Sequence, residues 1–188
     1  MAWLAPEPLE VDDKITRASE KLRAMMVRSE NSTRRAEVLE ALHNNHEGIQ
    51  SLALQVLGAW GSTDSIGTLR TFLTQAWERE AGWSIRGVAV KSLAPHIRPA
   101  DAEWVLELYF SRPALVEKHE LLPLVVRLPV EVARETLVRR LRDSEAVNRH
   151  AALKAIGNMA FPDRHKLLRP FLDDPDKLVR GAARTLLG

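Results

Sequence analysis

The 188-residue sequence has no cysteine, a single tyrosine and only nine glycines. Without cysteine there is no disulfide framework, no thiolate nucleophile, no cysteine-based zinc site and no iron–sulfur cluster. The glycines are scattered along the chain, so no phosphate-cradling loop is formed, and no GxSxG elbow occurs. No stretch reaches the roughly 18 consecutive apolar residues that a membrane helix requires, the richest being LLPLVV at 121–126. The opening MAWLAPEPLEVDD carries acid and proline where a secretory leader has a basic start and an apolar run. These absences lead to the expectation of a soluble, cytoplasmic protein. Neither sign of charge dominates either: 27 Lys and Arg stand against 25 Asp and Glu, a net charge of +2, so charge alone does not call for nucleic acid. What is present is an ordinary folding composition, with 45% apolar and 28% charged residues.

Internal repetition organises that composition. Gly157 and Gly188 fall 31 residues apart, and aligning them places LRDSEAVNRHAALKAIG over LDDPDKLVRGAARTLLG, with Leu, Asp, an acid, Arg, Ala-Ala and Gly coinciding in order. The same frame runs backwards through Ile85, Arg86, Ala89 and Leu93, and again through Ile49, Gln50, Ala53 and Leu57. The copy around VEKHELLPLVV keeps its basic residue, Lys118, but has Leu121 at the small position. Between the copies lie segments with apolar residues at helical spacing, such as Ile66, Leu69, Phe72 and Leu73, or Leu167, Leu168, Phe171 and Leu172. Turn and cap residues separate them: Asn31-Ser32, Gly61-Ser62-Thr63-Asp64, Pro99, Pro113, Asp143-Ser144, Pro162-Asp163 and Asp174-Pro175-Asp176.

The pattern predicts an all-α protein. An extended arm is expected over 1–12, an N-terminal helix over about 13–30, and helix pairs near 32–60, 63–96, 99–128, 131–160 and 162–188, with 13–188 forming one repeat domain. Ala53, Ala89, Ala152 and Ala183 are expected to let adjacent helices approach. Leu57, Leu93, Ile156 and Leu187 fill the layer, and Gly58 and Gly157 are expected to serve as left-handed helix ends.

The order Asp, Pro or Ser, acid, then Val-Arg-x-x-Ala-Ala-x-x-Leu-Gly, closest in the two C-terminal copies, resembles the short HEAT-like repeats of the phycobilisome-lyase type over most of the chain. That resemblance implies a right-handed α-solenoid of about five helix pairs, with first helices on the convex side and second helices lining a concave groove. It implies fold rather than function.

Candidate functional residues come from the same frame. Seven positions before each large apolar residue stand Gln50, Arg86, Lys118, Arg149 and Arg180. Two readings are open: a row of cations gripping an acidic partner or a phosphate backbone, or structural pairing with loop aspartates such as Asp143 and Asp174. One residue further on stand Ser51, Gly87, His119, His150 and Gly181. Lys118-His119-Glu120 resembles the His-Glu dipeptide that the deoxyhypusine hydroxylases, HEAT-repeat di-iron enzymes, carry at this point. Four such dipeptides hold two metals there. In this chain His150 precedes Ala151 and the other pair, His46-Glu47, lies outside the frame, so no metal site and no cofactor are expected. HNNHE at 43–47 matches neither order of the zinc-protease motifs.

Trp60, Trp77 and Trp83, with Arg79 and Arg86 nearby, either stack a base or anchor a peptide, or fill the wider gap between Leu57 and Leu93. The run Arg139, Arg140, Arg142 reads as a solvated helix end. A partner-binding set of Arg86, Lys118, His119, Arg149, His150, Lys154 and Arg180 follows. A protein or peptide partner is favoured over nucleic acid, and a lyase-like or metal-dependent enzyme is a further alternative. Leu178 and Leu186 on the last helix are expected to mediate self-association.

Overall fold

The computed structural model describes residues 8–78 and 82–188. Among them are eleven α-helices and three 3₁₀ segments and no strand. The chain forms two compact units, Met1–His96 and Ile97–Gly188.

In the first unit, α1 (Pro8–Met26), α2 (Ser32–Leu42), α3 (Glu47–Trp60), α4 (Thr63–Glu78) and α5 (Trp83–Leu93) end in a 3₁₀ turn, Ala94–His96. Helix α3 is the centre, because α1, α2, α4 and α5 all pack on it. Its sequence accounts for this: Ile49, Ala53, Leu54, Val56 and Leu57 form a broad buried stripe, wide enough for several neighbours to pack on. Starts and ends follow local chemistry. Asn31 accepts the Arg34 N–H at 2.8 Å as N-cap of α2. The Trp60 indole N–H is shared by the Met25 and Arg28 carbonyls at 3.1 and 2.8 Å, tying the end of α3 to the end of α1.

The second unit opens on a 3₁₀ turn, Pro99–Asp101, followed by α6 (Ala102–Ser111), α7 (Leu115–Val125), α8 (Val130–Arg140), α9 (Ala146–Asn158), α10 (Arg164–Leu168) and α11 (Lys177–Leu187). Helix α10 is short because Pro170 brings no N–H, and the chain continues as a 3₁₀ segment, Arg169–Asp173. Helix α6 packs on α7 and α8, α8 on α9, and α9 lies between α7 and α11. At the centre Tyr109 is fully buried, its hydroxyl donating to the Ala151 carbonyl at 3.0 Å and its ring meeting Phe110 edge-on at 5.0 Å. Burial pushes its phenol pKa up.

Helix positions follow the expected pairs, and Ala53, Ala89, Ala152 and Ala183 are all buried. Two expectations are corrected. The first helix begins at Pro8, since proline suits a first helical turn, so residues 8–12 are helical and not extended. The rest of the arm, with Trp3, lies outside the described residues.

Gly58 and Gly157 are not left-handed ends: both lie within helices, and the positive-φ helix ends are Gly61, at φ 62°, and Gly188, at φ 91°. Their role is close approach. A Cβ on Gly58 would sit 2.9 Å from the Ser92 carbonyl oxygen, and one on Gly157 2.5 Å from a Leu186 methyl. Gly58→Ala is therefore expected to cost about 1–3 kcal/mol by forcing α3 and α5 apart, despite the better helix propensity of alanine, read as a lower urea midpoint. Gly157 faces a flexible side chain tip, and the same substitution there has the smaller effect.

Candidate partner-binding face

The ladder residues share one position in the folded chain. Gln50, Arg86, Lys118, Arg149 and Arg180 are each the fourth residue of α3, α5, α7, α9 and α11. Helical side chains lean toward the helix N-terminus, so a long donor at this place reaches back over the preceding turn. The carbonyls waiting there are those a helix or turn leaves without partners.

Gln50 donates to the Leu42 carbonyl at 3.2 Å, closing α2. Lys118 Nζ donates to the Tyr109 and Phe110 carbonyls, both at 3.0 Å, closing α6. Arg149 donates to the Asp143 and Ser144 carbonyls at 3.0 and 2.9 Å, and Arg180 to those of Asp174 and Pro175 at 2.6 and 2.9 Å. Arg149 adds a two-pronged pair with Asp174, both bonds at 2.9 Å, which holds the Asp174 carboxyl below the usual carboxylate range. Arg86 lies with its guanidinium 5.2 Å from the centre of the buried Trp77 ring.

Of the two readings of the ladder, the structure thus supports internal pairing. Lys118, expected at a binding surface, is 0% exposed and lies against the Tyr109 and Phe110 rings as well as their carbonyls, so no partner reaches it. Arg149 and Arg180 are engaged with the turns they follow.

The fifth position behaves differently, with burial that varies from helix to helix. His119 is exposed and His150 nearly buried, with ring centres 6.1 Å apart across α7 and α9. Nδ1 of His150 has no hydrogen-bond partner. Gly181 occupies the same place on α11, and a Cβ added there meets nothing within 4 Å. Among the described residues no group of three His, Asp or Glu converges to hold a metal.

Burial pushes the His150 pKa down, and Lys154 and His119 push it the same way against a smaller opposing pull from Asp176. Its folded pKa lies below the unfolded one, so stability is full above about 6.5 and falls as the pH drops below that value, where the unfolded chain takes up the proton first. A urea midpoint that declines between pH 7.5 and 5.5, with a shallower decline in His150→Gln, is the expected result. The paired aspartates, with lowered pKa values, act only below about pH 4.

Of the apolar positions that stay open, the sequence singles out Leu178 on the last helix, but not its equivalents on α7 and α9. Three residues before each His or Gly of that row stand Val116, Val147 and Leu178. Val116 is 64% and Leu178 52% exposed, beside the half-buried Val147. The signal was legible, since all three are the second residue of α7, α9 and α11. Lys154, one turn beyond His150, is half-buried, while Lys177 and Arg184 on α11 are exposed. Leu186 does not join this surface, because it covers Gly157 on α9. The tryptophans part company too: Trp60 caps α1, Trp77 is buried, and Trp83 is 75% exposed. Arg79 lies outside the described residues.

No protein-family model matches the sequence, and no curated protein matches it significantly. Among the described residues no helix is long and apolar enough to cross a membrane.

Proposed function

We propose that the protein is a non-enzymatic interaction module, a HEAT-like α-solenoid whose second helices α7, α9 and α11 present a docking face to a protein or peptide. One observation carries the reading: Lys118, Arg149 and Arg180 turn inward to the chain's own carbonyls, while Val116 and Leu178, at equivalent places on packed helices, stand open to solvent. Unpartnered apolar residues flanked by polar ones on a rigid helical surface are what a binding face requires. Nucleic acid is less favoured, because three of the four ladder cations lie against protein carbonyls, Arg86 lies against the Trp77 ring, and two of the three clustered tryptophans are engaged internally.

The test is affinity capture from native lysate with the intact chain, beside a Val116→Asp, Leu178→Asp variant that keeps its helical circular dichroism. A protein retained by the parent chain and lost by the variant is expected. Equal retention by both removes this face from the reading.

A further inference from the structure

We infer that the occupant of the α7–α9–α11 face is an acidic segment carrying apolar anchors, an inference that rests on the docking function proposed above. It turns on the hydrogen-bonding and ion-pairing capacity left over once the contacts within the chain are made.

Four carboxylates at this face are engaged within the chain, three of them by neutral N–H groups that fill acceptor sites and leave the charge in place. Glu117 accepts the Ala114 N–H at 3.3 Å, Glu145 accepts the Asn148 amide at 3.2 Å, and Asp176 accepts the Leu178 and Val179 N–H groups at 2.8 and 3.1 Å. Glu120 also interacts within the chain. The cations are in the opposite condition. Lys154, Lys177 and Arg184 project on the stripe around His150 and Gly181, and among the described residues none of them forms an ion pair or a side-chain hydrogen bond.

The other surface of this unit differs. On α6 and α8, Glu103, Glu107, Glu131 and Glu135 are exposed and unpaired, interspersed with arginines, so that surface offers both signs. Of these two surfaces, the second-helix one combines engaged acids with bases that have no partner among the described residues.

Shape agrees with charge. Val116, Val147 and Leu178 lie along the N-terminal edge of the stripe, and Lys154 and Arg184 along its C-terminal half. Gly181 carries no side chain, and the space where a Cβ would sit is open. A segment with aliphatic residues along one edge and carboxylates along the other meets both halves at once, and the carboxylates also orient it.

The experiment is fluorescence anisotropy on the intact chain with three labelled peptides of about 14 residues built on one leucine pattern, with Glu, Gln or Lys at the polar positions. Expected is a Glu peptide binding about tenfold or more tighter than its Gln counterpart, with affinity falling as salt rises. Lys154→Glu with Arg184→Glu weakens it by about the same factor, and the Lys peptide gains on that variant.

If the Gln peptide binds as tightly as the Glu peptide, or the charge reversal changes nothing, the acidic occupant is overturned while the docking reading stands. If none of the three peptides binds, the docking reading falls with it. A 20-nucleotide oligo-dT that binds more tightly than the Glu peptide and is released by the same reversal replaces the acidic segment with nucleic acid.

Discussion

Arg149→Ala lowers the unfolding free energy by about 3–5 kcal/mol, the range expected when one member of a buried ion pair is removed. The side chains of Arg149 and Asp174 are only 13% and 5% exposed, and their two parallel bonds are both 2.9 Å. Truncation leaves the Asp174 carboxylate with a single backbone donor, the Asp176 N–H at 2.8 Å. It also strips the Asp143 and Ser144 carbonyls of their donor. Arg149→Lys keeps a charge but cannot reproduce the fork, so it recovers only part of the loss. Arg180→Ala costs less, about 1–2 kcal/mol, because Arg180 serves two carbonyls of a partly open turn and holds no buried acid. Urea unfolding followed at 222 nm checks all three. A loss below about 1 kcal/mol for Arg149→Ala makes the ladder a surface feature after all.

The same residues show how far a sequence of this kind can be read. Helix pairs were legible because a stripe of large apolar residues with a fixed small residue, such as Ala152 with Ile156, is written in one dimension and repeats every 31 or so positions. The ladder was legible as a position and ambiguous as a role. Whether a cation at the fourth place of a helix turns out or back depends on whether unpaired carbonyls lie behind it, and that depends on how the preceding helix ends.

The glycines were misread for a related reason. Gly58 and Gly157 fall near helix ends, where a left-handed residue is common, but α3 runs on to Trp60 and α9 to Asn158. The determinant was a neighbouring helix, at Ser92 in one case and Leu186 in the other, and no local pattern announces that. The open face was legible in part: Leu178 stood out on the last helix, whereas Val116 carries the same periodic label as core residues, and its packing shows it to be uncovered.

Lys118 is the position where internal structure and charge oppose each other most directly, and it gives the second large effect. Its ammonium is buried against the end of α6, and burial lowers its pKa to about 8, with Arg140 and Arg112 adding repulsion. Lys118→Ala removes the donor of two buried carbonyls and leaves a void the length of the lysine stem. A loss of about 3–5 kcal/mol is expected from the two contributions together.

The pH dependence separates this role from simple packing. A base whose folded pKa lies near 8 and whose unfolded pKa lies near 10.5 gives up its proton first in the folded protein. Stability therefore rises with pH between those values, as the cost of the buried charge disappears. The neutral amine still carries two N–H bonds, enough for the Tyr109 and Phe110 carbonyls, so the helix end stays closed as the charge leaves. Wild-type protein should gain in urea midpoint from pH 7.5 to 9.5 relative to Lys118→Met, which fills the space but cannot titrate. Staying at or below pH 9.5 also avoids the opposing contribution of Tyr109, whose raised pKa makes stability fall as the pH rises through 10. Parallel profiles for the two proteins would mean that the Lys118 ammonium is not buried as a charge against the end of α6.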